Sequence, residues 1–309
     1  MSEEGRSRRL PLWLIWSLAT IVLWGTWGLV SKIASAGVDA YVNQLLFTVG
    51  IAPLLVFVAW TVGKRGKRGE SAEKRERRGK GVFWAFLTGI LGGVGNMAYF
   101  QAMVKGGKAS VVTPVTALFP MVTVLLALVF LKERLGRVQW LGLALAFVAI
   151  YLLNASFGGY GSMVWIGYAI LALVLWGITG VTQKLSTNRI SSERSFLWFC
   201  WAMVALSAAV LAVARPHWGL APVVVVCSVA GGALNGLGAW TSFRALGSGG
   251  KASIVISLIS LFPLLTVVLA VLLLHERLTW MQLAGAVVAI TAAILLSLEP
   301  APAKTEAKG

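Results

Sequence analysis

Acidic residues, charge in general and cysteine are all scarce in this sequence. Asp and Glu together number 11 among 309 residues, and charged residues of both signs make up 12%, against about 25% in a typical soluble domain. So little charge excludes an ordinary soluble globular protein. Both cysteines, Cys200 and Cys227, lie inside apolar runs, which excludes a disulfide framework and gives no metal-ligand spacing.

The sequence is instead rich in long hydrophobic segments. Hydrophobic residues make up 58%, and the mean hydropathy is +0.82. They form continuous stretches of about 20 residues, the helix length that crosses about 30 Å of hydrocarbon, and about twice the length of an outer-membrane strand. We predict an all-α integral membrane protein with ten transmembrane helices, near residues 12–34, 40–62, 82–104, 109–131, 138–155, 162–184, 195–214, 221–243, 252–274 and 279–298.

The positive charge predicts the orientation of these helices. The formal net charge is +16, but the cations lie between the apolar segments rather than along one stripe, which does not favour nucleic-acid binding. Most lie on the side that receives the basic loop 64–80 and, after an even number of spans, the tails 1–11 and 299–309. The positive-inside rule makes that side cytoplasmic. Residues 12–34 are too long for a signal-peptide core, so we expect a multi-pass protein of the plasma (inner) membrane.

The chain repeats itself. Gly-Gly-Lys-Ala-Ser at 106–110 recurs at 249–253, Leu-Phe-Pro at 118–120 recurs at 261–263, and Glu-Arg-Leu at 133–135 recurs at 276–278, all at an offset of 143 (249 − 106). Trp24-Gly25 with Lys32 matches Trp176-Gly177 with Lys184 at an offset of 152 (176 − 24). Each half, 12–155 and 156–298, therefore holds five spans. Because five is odd, the halves are predicted to enter the membrane in opposite directions, as in many secondary transporters.

These motifs, in this order and twice over, resemble the EamA repeat of the drug/metabolite transporter superfamily. The resemblance covers nearly the whole chain apart from the two tails and the basic loop. It implies a ten-helix exporter or exchanger of small metabolites such as amino acids, working by alternating access. It does not imply a particular substrate, because the motifs are chiefly structural.

Polar side chains deep in the spans are the candidate substrate-binding residues, because burial in lipid is costly unless they face a cavity or a partner helix. Tryptophans inside the first and sixth spans offer stacking surfaces for an organic substrate. The alternatives are hydroxyls bonded to their own helix backbone or to a neighbouring helix, and tryptophans packed against the adjacent Gly25, Gly28 and Gly177. The predicted site is Trp24, Trp27, Asn96, Gln101, Thr113, Thr116, Trp176, Asn235, Ser257 and Ser260.

Two further groups of residues have structural interpretations. Pro114, Pro120 and Pro263 interrupt backbone hydrogen bonds inside the fourth and ninth spans, and they predict kinked or broken helices whose freed carbonyls line a cavity. Lys32 and Lys184 end the first span of each half, where an ammonium group reaches the interface or contacts a substrate carboxylate.

Carboxylates are missing from the middle of every predicted span. All Asp and Glu residues lie in loops, tails or span ends, Glu133 and Glu276 among them. Proton-coupled export of cations generally needs a buried acid, so neutral or zwitterionic metabolites are the expected substrates, with no metal and no cofactor. The competing hypotheses are a flippase-like or lipid-linked carrier, which predicts a side opening lined by basic residues, and a membrane scaffold or enzyme, which predicts ionisable residues clustered at one face.

Overall fold

The computed structural model describes residues 10–64, 72–130, 136–155, 164–214, 219–275, 277 and 279–297. These residues form helices joined by short turns, and no strand occurs among them. The first half contains α1 Leu12–Ala34, α2 Ala40–Lys64, α3 Ala72–Val104, α4 Ala109–Thr116, α5 Pro120–Phe130 and α6 Arg137–Ala155. The second half contains α7 Val164–Thr187, α8 Ser192–Val213, α9 Pro222–Gly247, α10 Ala252–Ile259, α11 Pro263–Leu273 and α12 Trp280–Ser297.

Several of these helices are long and apolar enough to cross a bilayer. In the part of the chain that the structure describes there are seven such segments: Leu12–Ala34, Ala40–Lys64, Arg77–Val104, Val164–Thr187, Ser192–Val213, Pro222–Gly247 and Ala252–Leu273. Pro120–Phe130 and Leu283–Ala292 are shorter apolar helices. The predicted all-helical, multi-pass membrane class is therefore confirmed.

Part of the basic segment before the third span is helical. Helix α3 begins at Ala72 and runs through to Val104, so the predicted loop over residues 64–80 is wrong for residues 72–80. This stretch is rich in Glu, Lys and Arg, whose helix propensities are close to that of Ala. A charged helical extension outside the lipid is therefore favourable, and it continues directly into the apolar span.

Helical breaks occur in the fourth and ninth predicted spans. Helix α4 ends at Thr116 and α5 begins at Pro120, while α10 ends at Ile259 and α11 begins at Pro263. Proline has no backbone N–H to donate into the preceding turn and suits the first position of a new helix. Tighter turns bridge each gap, with the Phe119 and Phe262 amides donating to carbonyls three residues earlier at 3.1 and 3.2 Å.

The helices of the two halves interlock rather than forming two separate bundles. Helix α1 packs chiefly on α9, α7 packs chiefly on α3, and α6 packs on α12. Two equivalent hydrogen bonds cross between the halves: the Thr123 hydroxyl donates to the Gly177 carbonyl at 2.7 Å, and the Thr266 hydroxyl donates to the Gly25 carbonyl at 2.8 Å. Both threonines are fully buried, so these bonds join the halves at the centre of the protein.

Candidate functional site

Two adjoining small cavities lie where the long helices of the two halves meet. Their volumes are about 40 and 50 Å³. Helices α1, α3, α7 and α9 supply most of the walls, and the broken regions at Phe119 and Phe262 supply part of the first cavity. We call this region the central cavity. The side chains that line both parts of it are Trp24, Trp176, Thr179, Gln183 and Asn235.

Aromatic rings form much of the central cavity's wall. The Trp27 ring stacks on Tyr99 with ring centroids 4.8 Å apart, and it lies 5.8 Å from the Trp176 ring. On the opposite side the Trp24 ring meets the edge of Phe262 at 6.0 Å. Edge-to-face and offset-stacked pairs of this kind hold the rings in defined orientations.

Two asparagine amides line the central cavity without using their hydrogen-bonding capacity. Asn96 is 8% exposed and Asn235 is 6% exposed, and neither side chain bonds to another residue in the described ranges. An Asn amide offers two donors and a carbonyl acceptor, and buried amides in proteins are normally bonded. These amides are therefore free to bind a polar molecule.

Other polar groups in the cavity are only partly used. The Gln183 side chain accepts a bond from the Ser242 hydroxyl at 3.2 Å. The Trp24 indole N–H donates to the Asn235 backbone carbonyl at a long 3.4 Å. The indole nitrogen of Trp27 is buried and has no partner in the described part of the chain. The site thus has spare hydrogen-bonding capacity beside its apolar rings.

The central cavity carries no formal charge. None of the described residues that line it is Asp, Glu, Lys, Arg or His. The two lysines at the ends of α1 and α7 donate hydrogen bonds to backbone carbonyls outside the cavity lining. The Lys32 ammonium donates to the Gly107 carbonyl at 3.0 Å, and the Lys184 ammonium donates to the Gly250 carbonyl at 2.7 Å. Over the described residues there is also no group of three His, Cys, Asp or Glu that could hold a metal ion.

Four predicted site hydroxyls are bonded inside the protein. The Thr113 hydroxyl pairs with the Tyr99 hydroxyl at 2.7 Å. The hydroxyls of Thr116, Ser257 and Ser260 donate to backbone carbonyls of their own helical segment, at 2.9, 2.6 and 2.6 Å. Since all four are buried and none lines the central cavity, they correspond to the alternative of backbone or helix-to-helix bonding.

Gln101 lies in a different place from the other predicted site residues. Together with Tyr41, Met97 and Tyr168 it lines a cleft of about 280 Å³ between α2, α3, α7 and α8. We call this the α3 end cleft. Gln101 is seven residues from Val94 and three from Ala98, also in the cleft, which puts these residues on one face of α3. Asn96 faces the central cavity from the other side.

The structure adds residues that the sequence prediction missed. Thr179 and Gln183 line the central cavity together with Trp176, at i+3 and i+7 on the same face of α7. That spacing can be read from the sequence. Gln183, however, directly precedes Lys184, which ends the predicted span, and a residue at a span end is not expected to line a central cavity. Phe119 and Phe262 belong to the duplicated Leu-Phe-Pro motifs and contact the same cavity.

A separate groove of about 190 Å³ opens on the outside of α10, α11 and α12. It contains Ser260, and its other lining residues are Ala, Leu, Val, Ile and Pro. A flippase-like carrier predicts a lateral opening with basic residues. No basic residue lines this groove in the described part of the chain, so its composition does not favour that alternative.

An apolar helical bundle that encloses an uncharged polar cavity between its spans is typical of multi-pass membrane transporters. The chain belongs to the EamA-like transporter family, which matches residues 11–155 and again residues 163–298. This confirms the resemblance seen in the motifs, and it places the protein with the drug/metabolite transporters.

Curated relatives match parts of the chain. An uncharacterized transporter of Bacillus subtilis, YvbV, is 26% identical over 189 residues, 58% of this chain and 60% of that protein. An uncharacterized transporter of Archaeoglobus fulgidus is 29% identical over 97 residues, 31% of this chain and 34% of that protein. An uncharacterized protein of Methanocaldococcus jannaschii is 37% identical over 73 residues, 24% of this chain and 53% of that protein. Each match therefore spans less than two thirds of the relative's length.

A solved crystal structure shares the fold over almost its full length. It superimposes with a TM-score of 0.63, covering 92% of this chain and 96% of that chain, at 21% sequence identity. At this identity the likeness concerns the fold alone.

Proposed function

We propose that this protein is a secondary transporter, an exporter, facilitator or exchanger, that moves small neutral or zwitterionic metabolites such as amino acids by alternating access. It is not an enzyme. The observation that carries the proposal is the central cavity, which combines aromatic walls with two unbonded buried amides and has no charged lining residue in the described ranges. A net charge would cross this site without a counter-charge, whereas a neutral or zwitterionic molecule can satisfy the amides.

The helices form ten spans, organised as two inverted five-helix repeats over residues 12–155 and 156–298, with tails 1–11 and 299–309. In this arrangement α4 with α5 and α10 with α11 are single broken spans, and α6 and α12 are the fifth and tenth. Support comes from bonds that recur at the offsets of the sequence repeat, such as Lys32 to Gly107 and Lys184 to Gly250. Inverted repeats place the substrate site near the membrane midplane, between the halves.

The binding side chains are Trp24, Trp27 and Trp176 as stacking surfaces, with the amides of Asn96, Asn235 and Gln183 as hydrogen-bonding groups. Of the other predicted site residues, Thr113, Thr116, Ser257 and Ser260 support the helices around the site, and Gln101 belongs to the α3 end cleft.

Transport requires the helices around the central cavity to move. Cavities of about 40 and 50 Å³ hold only a few water molecules, since one water occupies about 30 Å³ in the liquid. Small-molecule pockets are commonly about 300 Å³ or larger, so the central cavity is too small to hold a metabolite in this conformation. The breaks before Pro120 and Pro263 adjoin the cavity through Phe119 and Phe262 and are the places where the backbone can bend.

Transport is driven by the substrate gradient and does not require proton antiport. The central cavity contains no Asp or Glu among its described lining residues, so no acid is in place whose protonation would compete with substrate. Glu133 and Glu276, the acids nearest the broken spans in sequence, lie outside the described residues. The protein resides in the plasma (inner) membrane with both termini in the cytoplasm.

The test begins with metabolite export from cells with and without the gene, followed by flux into proteoliposomes of the metabolite so identified. Asn96→Ala, Asn235→Ala and Trp24→Ala should each lower the flux. For the two asparagines the loss should approach tenfold, since one hydrogen bond contributes about 0.5–1.5 kcal/mol and tenfold corresponds to about 1.4 kcal/mol. The matched control is Asn43→Ala, which removes an amide on α2 that does not line the central cavity. Normal flux in all three cavity variants would contradict the proposed site.

Coupling is tested in the same vesicles. Flux should follow the substrate gradient with no pH difference across the membrane. Uphill transport driven by an imposed pH gradient alone, and abolished by Glu133→Gln or Glu276→Gln, would contradict gradient-driven transport.

A further inference from the structure

A partly buried ion pair and two tryptophans join three helices at one end of the bundle. Arg244, in the last turn of α9, donates from Nη2 to the Glu193 carboxylate in the first turn of α8 at 2.8 Å. The same guanidinium lies 5.0 Å from the ring centre of Trp16 on α1 and 4.9 Å from that of Trp240 on α9. The two tryptophan rings lie 6.2 Å apart. We call these four residues the Arg244 cluster.

The ion pair of the Arg244 cluster is partly shielded from solvent. The side chain of Arg244 is 30% exposed and that of Glu193 is 16% exposed. Charge-assisted hydrogen bonds and cation–π contacts strengthen as water is excluded. The cluster therefore joins α1, α8 and α9 more strongly than a fully exposed pair would.

The internal repeat identifies the equivalent place at the other end of the protein. The offset of 152 also holds in the second helix of each half, because an added Cβ atom would meet the Phe199 carbonyl at Gly89 and the Phe47 carbonyl at the equivalent Gly232 (199 − 47). The offsets of 143 in the third helix and 152 in the first two relate Arg244 to Gln101, Trp240 to Met97, Glu193 to Tyr41 and Trp16 to Tyr168. All four equivalent residues line the α3 end cleft, whose volume is about 280 Å³. None of them is charged, and Tyr41 at the rim is 53% exposed.

The end of α9 and the end of α3, which the repeat makes equivalent, thus have different structures. At the α9 end, the helices are held together by the Arg244 cluster. At the α3 end, the equivalent residues line a cleft instead of forming such a cluster. In an inverted repeat, alternating access consists of the two halves exchanging conformations, so this difference between the ends reports which side is closed.

We propose that the Arg244 cluster is the lock that holds the α9 end closed, and that its release is coupled to closure of the α3 end cleft. This inference rests on the proposed transport function, whose orientation makes the α9 end cytoplasmic. Arg244 and Glu193 act as positioning residues, since neither lines the central cavity. No charged residue lines the α3 end cleft in the described part of the chain, so no equivalent ion pair can form when that end closes, and the Arg244 ion pair is specific to one of the two states.

The test uses two cysteine reporters at equivalent positions, Ala98→Cys and Thr241→Cys, each in a protein carrying Cys200→Ala and Cys227→Ala. Ala98 lines the α3 end cleft, and Thr241 lies at the α9 end, bonded to Thr20 at 2.7 Å. Both residues are 5% exposed. The purified full-length protein, without substrate, is labelled with a small charged methanethiosulfonate, and the rate is measured at each reporter.

With the cluster intact, the Ala98→Cys reporter should react faster than the Thr241→Cys reporter. Adding Arg244→Gln or Glu193→Gln should lower the first rate and raise the second, changing their ratio at least about tenfold, equivalent to about 1.4 kcal/mol. General loosening of the fold would instead raise both rates. A rise in both, or no change in either, would overturn the proposal.

Two further variants separate the ion pair from nonspecific effects. Arg244→Lys keeps a cation beside both tryptophans and within reach of Glu193, so the rate ratio should stay close to that of the unmodified cluster. Arg194→Gln removes a neighbouring cation on α8 that forms no ion pair with a described residue, and the ratio should not change. A shift with Arg194→Gln as large as with Arg244→Gln would refute the role of the pair.

The labelling experiment needs no substrate, so its failure can be told apart from failure of the transport proposal. If the protein transports normally but the two reporter rates do not change in opposite directions, the proposed transport function stands and the proposed role of the Arg244 cluster is refuted.

Discussion

One close approach between the two halves lies where Gly28 of α1 meets Thr266 of α11, and substitution of that glycine gives a sharp test of the packing. A Cβ atom added at Gly28 would lie 2.6 Å from the Thr266 Oγ1 atom and 2.7 Å from its Cγ2 atom. Ordinary contact begins near 3.4 Å, so the threonine would have to move by most of an ångström. It cannot do so freely, because its hydroxyl is bonded to the Gly25 carbonyl at 2.8 Å.

The expected cost of Gly28→Ala follows from these contacts. Overpacking a buried site costs about 1–3 kcal/mol, and loss of a hydrogen bond between membrane helices adds about 0.6 kcal/mol on average. The higher helix propensity of Ala returns at most about 1 kcal/mol. We therefore expect Gly28→Ala to lower the free energy of unfolding by about 1–3 kcal/mol, measured by equilibrium denaturation in mixed micelles.

A double mutant tests whether the contact itself is responsible. Thr266→Ala removes both atoms that clash, leaving the Cβ atom at 3.2 Å. Gly28→Ala combined with Thr266→Ala should therefore be more stable than the sum of the single changes predicts, by about 1–2 kcal/mol. The equivalent pair in the other half, Gly180 and Thr123, has the same 2.6 Å approach and should show the same sign of coupling.

The control is Gly167→Ala on α7, where an added Cβ atom would meet nothing within 4 Å. This change should be neutral or slightly stabilising. Strict additivity of Gly28→Ala and Thr266→Ala, or a loss of stability with Gly167→Ala as large as with Gly28→Ala, would refute the reasoning.

Two further outcomes are expected. Lys184→Met should lower stability without changing the apparent KM for an established substrate, because the ammonium group bonds the Gly250 and Leu246 carbonyls at 2.7 and 3.3 Å. The control is Thr291→Val, which removes an exposed hydroxyl on α12. A raised KM for Lys184→Met would instead favour a substrate contact. Reporter domains fused within residues 65–71 and after Gly309 should both report cytoplasm, because the flanking cations favour that side, and a signal from the opposite side at either position would remove the ten-span arrangement.

The family, the helical class and most helix positions could be predicted from the sequence alone. A span must be long enough to cross the hydrocarbon, and that requirement is visible locally as an uninterrupted apolar run. The repeat is equally visible, because motifs such as Leu118-Phe119-Pro120 and Leu261-Phe262-Pro263 keep one spacing. The start of α3 at Ala72 could not be read in this way, because a charged helix outside the lipid has no hydrophobic signature.

The candidate site, too, could be predicted from the sequence only in part. Trp24, Trp176, Asn96 and Asn235 stood out in the sequence because tryptophans and amides inside apolar spans are conspicuous and costly, and the structure brings them to one cavity. Whether a polar group is free or already bonded depends on atoms distant in sequence. The Thr113 hydroxyl is bonded to Tyr99, while the side-chain amide of Asn96 is not bonded to any described residue, and nothing in the two local sequences distinguishes them.

Arg244 is the clearest case of a role that only the tertiary structure decides. In the sequence it is one more cation beyond the end of a span, and Glu193 is an acid near the start of another. Folding brings α8, α9 and α1 together so that the two charges meet beside Trp16 and Trp240. Hydrophobic length and repeat spacing are properties of the chain, whereas an ion pair, a closed cavity or an open cleft is a property of distances between helices, which packing alone sets.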